Sequence, residues 1–428
     1  MISLKQMKIK IFIILFCVFY ATIFEIKAQT NSQIENATNK QGFRLKMLAL
    51  HNGDSLRIYV RLQNDFKDWQ QIENITKNFA FEYYITQDYR SAKPTSTKII
   101  PHQITKEEDG TKFYFQIARQ NIATAILFFE MMNILDNTKY NFDLKINFTN
   151  TRLRDEFAVF QQKSEFPCFD GYVFQNEMFS IKNIAKKEIL IRNFLYKDTD
   201  TQTDMALAPM NLTKNANMPK KVEDIFNITK TNENIVFTEK GLCFFKKDTA
   251  DFYGLSVRIE DKNFPKIAEK TDLVAALTYI LKNNEIEKFS EIFNKRDDKK
   301  EDKNDKENSI KQELDKFFLI LAEGNEINAR NLIKRYYQRV KEANLTFSTH
   351  KDGWKTDMGM VFVLLGTPTE TIKGKDVVQW TYLNHPSFAK AIFTFSKRAN
   401  AYTDEHYVLA RYTEYATIWQ LVIDNWRK

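Results

Sequence analysis

The chain has 428 residues, more than one hydrophobic core usually organises, so two to four domains are expected. With 36 Phe and 18 Tyr against 11 Gly and 8 Pro, the composition excludes a disordered or low-complexity protein and points to cores rich in aromatic packing. Net charge is +8, and beyond residue 28 it falls to +5, from 59 basic and 54 acidic residues. The lysines are spread along the chain rather than gathered in one stripe, which argues against a nucleic-acid footprint.

The N-terminus carries an address. Lys5, Lys8 and Lys10 precede an apolar run from Ile11 to Phe24, followed by Lys27-Ala28-Gln29, the layout of a secretory signal at residues 1–28. The fourteen residues of that run fall short of the roughly 20 that span a bilayer, so cleavage is favoured over a permanent anchor. Ile26 is large for the position three before a cut after Ala28, and membrane attachment follows only if the segment is retained. Cys17 sits inside the run behind Phe16, an unsuitable neighbour for a lipid-modified cysteine. Cleavage leaves Cys168 and Cys243; an oxidising compartment permits a bridge, and two buried thiols satisfy the sequence equally.

Period-two alternation through Leu56 to Leu62, Phe79 to Ile85 and Lys112 to Ile117 predicts half-buried strands. With β-prone runs at Ala125 to Glu130 and Tyr140 to Phe148, and turns such as Asn52-Gly53-Asp54, it predicts an immunoglobulin-like sandwich over 42–150. A second β-rich domain over 155–262 is expected from Tyr172 to Ile181, Glu188 to Tyr196, Asn234 to Phe245 and Tyr253 to Ile259, with a polar loop at Lys197 to Lys221.

The period then changes. Leu273, Val274, Leu277, Ile280 and Leu281 share a helical face behind a capping Thr271, which predicts a helical segment within 265–295. The run at 296–308 contains no apolar residue and reads as a solvated linker and domain boundary. Ser309 and Gln312 form a capping-box pattern at the start of a helical hairpin, which Gly324 divides. An α+β domain completes 309–428, and its last helix carries Tyr412, Tyr415, Ala416, Trp419, Val422, Ile423 and Trp426 on one stripe, which either packs on its own domain's sheet or docks on a partner. The fold class is therefore mixed: antiparallel β-sandwich-like modules, then helices, then a C-terminal α+β domain.

Beyond the hairpin stand Gly353-Trp354-Lys355-Thr356-Asp357, the helix pattern from Tyr336 to Asn344, and Phe347, Gly359, Gly366, Pro368, Trp380 and Tyr382. On these residues the C-terminal 120 or so positions resemble the GWxTD domain family, with departures at Met358 and Thr369. The resemblance implies bacterial export and an envelope setting, and no reaction. Physically the motif reads as architecture: Gly353 permits a turn, Trp354 offers a large apolar body, and Asp357 accepts from backbone amides before a strand Met360 to Leu365. Gly359 to Tyr382 is also locally similar to outer-membrane assembly lipoproteins of the BamE type.

HExxH, GxSxG, Walker A and GxGxxG patterns are absent, and the five histidines lack metal-ligand spacing. No catalytic residue, metal or cofactor is therefore assigned; His350 beside Asp352 and Asp357 is the one cluster with acid–base potential. The basic face Arg330, Lys334, Arg335, Arg339 and Lys341 reads as a solvated helix surface rather than a nucleic-acid site. The expectation is an exported, non-catalytic protein of the periplasm or cell envelope that binds envelope proteins or polymers. The alternative is a hydrolase acting on glycan or peptide near the Gly-Trp-Lys-Thr-Asp motif.

Overall fold

Aromatic residues at every second position close the first module. A computed structural model describes residues 43–64, 75–108, 110–149, 152–196, 226–267, 269–282, 284–285, 288–289 and 303–427. The predicted signal segment, the polar loop at 197–221 and positions 296–302 of the charged run lie outside them. Strands β1 (Phe43–Asn52), β2 (Ser55–Asn64), β3 (Phe79–Thr86), β4 (Thr97–Lys98), β5 (His102–Lys106), β6 (Gly110–Ala118), β7 (Thr124–Asn133) and β8 (Lys139–Asn147) form two antiparallel sheets. Their orders, β1-β2-β6-β5 and β4-β3-β7-β8, match those of an immunoglobulin-type sandwich. Between the sheets the Phe129 ring lies 5.6 Å from Phe81 and 6.2 Å from both Phe115 and Phe142, all buried.

The second β region holds β9 (Ala158–Gln161), β10 (Tyr172–Phe174), β11 (Phe179–Lys182), β12 (Leu190–Tyr196), β13 (Phe226–Lys230), β14 (Gly241–Lys246) and β15 (Leu255–Glu260). A five-stranded sheet runs β10-β15-β14-β12-β13, and β9 pairs with β11 beside it. The segment Tyr172 to Ile181, expected as one strand, is two strands in different sheets, because the chain turns at Asn176 with φ +63°. Cys168 and Cys243 belong to this one core as free thiols, and the Cys168 Sγ lies 3.1 Å from the Tyr172 carbonyl.

Helices α1 (Lys270–Ala276), α2 (Lys303–Leu321), α3 (Glu326–Phe347) and α4 (Asp357–Leu365) follow. Strands β16 (Glu370–Lys373), β17 (Val377–His385), β18 (Phe388–Lys397) and β19 (Tyr407–Leu409) then form an antiparallel sheet ahead of α5 (Glu414–Trp426). Two expectations need correction. Helix α2 already runs at Lys303, so Ser309 and Gln312 stand inside it and do not cap it; the end of the charged run supplies its first turns. The charged run also does not separate two cores: Val274, Leu277 and Ile280 share one buried cluster with Phe318, Tyr336 and Trp354. Tyr336 and Tyr337 pin the helices on either side by donating to the carbonyls of Ala276 at 2.6 Å and Leu273 at 2.9 Å. Of the expected stripe, helix α5 buries Tyr415, Trp419, Val422 and Trp426 in that same cluster with Ile423 packed against it, so these residues pack on their own domain, while Tyr412, ahead of the helix, and Ala416 are exposed.

Phe129 is fully buried at the centre of the sandwich. Its truncation, Phe129→Ala, is expected to cost about 3–5 kcal/mol in urea unfolding, and an unchanged midpoint would refute this placement of the core.

Candidate functional site

The motif residues converge on a corner between α3 and α4. Gly353 opens a short 3-10 turn, and a Cβ there would lie 1.9 Å from the Ala343 carbonyl oxygen of α3. Gly359, in the first turns of α4, sits as tightly: its Cβ would lie 1.8 Å from the Gly353 carbonyl oxygen. Both glycines are thus required by backbone approach, and Gly353 adopts no left-handed conformation. Thr356 caps α4, its Oγ1 accepting from the Gly359 N–H at 3.0 Å and donating to the Gly353 carbonyl at 2.7 Å. Trp354 is buried beneath the turn; its carbonyl accepts from the Tyr279 hydroxyl at 2.6 Å and its N–H donates to Asn344 Oδ1 at 3.3 Å.

The run Met360 to Leu365, expected as a strand, belongs to helix α4, buried on all sides. An all-apolar stretch has no helical period to reveal it, and burial on every face is what such a run encodes. The signal lay at its ends: Thr356 as cap with Asp357 in the first turn, and Gly366 at φ +77° just past the last turn. Gly359 to Tyr382 is accordingly helix, turn and strand. Beyond Gly366 the chain turns through buried Pro368 into β16. The carbonyls at and just past the end of α4 find donors: Arg339 reaches Leu364 at 2.7 Å, Trp426 Nε1 reaches the same oxygen at 2.9 Å, and the Tyr382 hydroxyl reaches Gly366 at 2.8 Å. Trp380, fully buried, packs between Phe347 at 5.6 Å and Phe395 at 4.8 Å. Arg335 and Arg339 stack over Trp426 at 4.4 and 5.2 Å, so part of the basic face of α3 is packed and not solvated.

The acidic residues of the corner are committed to structure. Asp357 accepts from the Leu409 N–H at 2.6 Å and takes both Arg411 Nη atoms at 3.0 Å, a bidentate clamp on β19. Asp352 turns the other way, to Arg258 of β15, which also contacts Glu260, while Lys355 reaches Asp352 at 3.0 Å. Burial pushes the Asp352 carboxyl up, but Arg258, Lys355 and Lys240 outweigh it and hold the group well below the usual carboxylate range. His350 is buried between the rings of Tyr402 at 5.9 Å and His406 at 5.4 Å. The expected His350–Asp352–Asp357 grouping is thus dispersed, each member serving a different contact.

What the sequence did not reveal is a cleft of about 700 Å3 beside the corner, walled by all three modules. The sandwich contributes Arg44, Lys46, Arg61 and Lys145, and the C-terminal domain Lys341, Lys351 and Lys373; facing these seven cations are Asp143, Asp170, Asp357 and Glu405. Three of the four carboxylates are already paired: Asp143 with Lys373 at 2.6 Å, Asp170 with Lys46 at 2.7 Å and Arg61 at 2.8 Å, and Asp357 with Arg411. Lys145, in contrast, donates to neutral oxygens, the Tyr407 hydroxyl at 2.7 Å and the Lys375 carbonyl at 3.2 Å, and burial lowers its pKa. Glu405 reaches the solvent of the cleft, yet surrounding protein raises its carboxyl above its ordinary value against the pull of Lys145, Lys397 and Lys373. The side chains come from distant strands and share no local motif. Among the described residues no group of three or more His, Cys, Asp or Glu is arranged to hold a metal ion.

Two outcomes follow for the corner. Gly353→Ala is expected to lower stability by at least ~2 kcal/mol in thermal or urea unfolding, since the neighbour is backbone and cannot swing aside; a neutral result would break the close-approach account. Because the Asp352 carboxyl is depressed in the fold, its stabilisation is present above the unfolded value near 3.9 and is lost as pH falls towards the folded one. The stability gap between wild type and Asp352→Asn should therefore stay flat from about pH 7 to 5 and narrow below about pH 4.

No curated protein matches this chain. Residues 241–428 match the GWxTD domain, a span that begins at β14, upstream of the C-terminal 120 or so positions that carry the motif residues, and takes in Arg258 and Glu260. With the motif, its corner and this match in register, the C-terminal part of the chain is a GWxTD domain.

Proposed function

We propose that this is an exported, non-catalytic envelope protein that works by binding, with the three-module cleft as its binding site. The observation that carries the reading is the division of labour at the corner. Asp352 and Asp357 are held in intramolecular ion pairs, whereas a cavity of ligand size opens alongside with surplus positive charge. The lysine-led apolar leader at residues 5–24 supports export, and the β-sandwich supports a role in contact with envelope proteins or polymers. Nucleic acid is not a partner in this reading.

A hydrolase acting on a glycan or peptide is the second reading, and Glu405 favours it. A carboxyl with a raised pKa on a cleft wall suits a general acid. Asp143, a carboxylate of the same cleft that acts electrostatically on Glu405, is held by Lys373 and by the Tyr89 hydroxyl at 2.7 Å, which leaves it without freedom to act as the second member of an acid–base pair.

Crosslinking the full-length protein in envelope fractions at native abundance should recover defined partners, and Glu405→Gln should leave their recovery and the cellular phenotype intact. Recovery of the monomer alone would contradict binding. Loss of the phenotype in a folded Glu405→Gln protein would move the balance to hydrolysis.

A further inference from the structure

Strand β1 ends one sheet of the sandwich and β8 ends the other, and both strands line the cleft. The β1–β2 hairpin turns through Gly53-Asp54 with φ +63° at Gly53, and Asn52–Ser55 is the pair that closes it. In a two-residue hairpin the closing pair is hydrogen-bonded, and bonded and non-bonded pairs alternate from it. Lys46 and Arg44 therefore bond back to β2, while Leu45 and Met47 turn their N–H and C=O groups to the open edge. On β8 the Asn133 N–H donates to the Thr138 carbonyl at 2.9 Å, which fixes the same alternation and turns the backbone of Asp143 and Lys145 outwards. The Asn147 carbonyl, of the same parity, accordingly points off the sheet and accepts from His51 Nε2 at 2.9 Å. Among the described residues, no backbone hydrogen bond reaches Leu45, Met47, Asp143 or Lys145 from outside their own sheets.

An unpaired edge inside a cleft is a template for one more strand. The charge around it selects what that strand carries. Arg44 and Lys46 project from one face of β1 two residues apart, Lys145 stands on β8, and Lys341, half-buried on α3, has no ion-pair partner among the described residues. A strand laid against β1 presents every second side chain to the face that bears Arg44 and Lys46, about 6.8 Å apart. We propose that the cleft takes an extended acidic peptide segment of a partner protein, which adds to the β1 edge with carboxylates at alternate positions. This rests on the binding reading above and names its partner chemistry.

The test uses the purified full chain and an octapeptide alternating Glu and Thr, followed by fluorescence anisotropy. Expected are saturable binding, at least ~10-fold weaker for a Lys–Thr peptide and for the Lys341→Glu variant, and marked weakening by salt. Two further Glu–Thr peptides are N-methylated at the odd or at the even positions. Edge pairing uses the N–H groups of one set only, so one of the two should bind at least ~10-fold more weakly than the other. Equal binding of both, or binding of an acidic oligosaccharide in place of the peptide, overturns strand addition and leaves the binding cleft standing. If neither probe binds and Lys341→Glu also leaves crosslinked partners unchanged, the inference and the cleft reading fail together.

Discussion

The C-terminal domain depends on two backbones lying closer than a methyl group permits. At Gly353 the 3-10 turn rests on the last turns of α3, and at Gly359 the start of α4 rests on the turn. Each contact excludes any side chain, so the glycines set the distance between two helices as well as the path of the chain. Thr356 then satisfies the Gly359 N–H in the first turn of α4, and Arg339, Trp426 and Tyr382 satisfy carbonyls at its far end. From Gly359 to Leu365 the helix is buried and has no water to fall back on, so its polar backbone groups there need protein partners. The motif is a way of supplying them at one end.

The charged residues extend the corner outward. Arg258 on β15 reaches across to Asp352, and Asp357 holds Arg411 and the edge of β19. A buried charge missing its partner destabilises more than the pair stabilises, so these contacts specify which strands meet the corner more than they add to its strength. The first of them gives a physical reason for the matched domain to begin at β14: β15 carries the guanidinium that Asp352 requires.

How much of this was legible depended on whether the signal was local. The sandwich strands could be read because Leu56 to Leu62 and Phe79 to Ile85 alternate between a phenylalanine-rich core and solvent, and alternation survives without knowledge of partners. Hairpin helices α2 and α3 could be read from their stripes, although α2 begins within the charged run because charged residues are adequate helix formers and nothing there breaks a helix. Helix α4 was hidden by its own burial. The cleft was invisible for a different reason: Arg44, Lys145, Lys341 and Glu405 are ordinary surface residues in their own segments, and only tertiary contacts bring them to one cavity.

The corner and the cleft are nonetheless one construction. Thr356, Asp357 and Met358 line the cavity at the start of α4, and Asn344 to Thr349 line it at the end of α3, so the distance fixed by Gly353 and Gly359 also fixes one wall. The opposite wall is the sandwich, held by Lys145 to Tyr407 and by Lys373 to Asp143. A motif that needs no ligand therefore sets the width of a gap it borders. Its aspartates act through the strands they hold: Asp357 positions β19, and β19 carries the Tyr407 hydroxyl on which Lys145 rests.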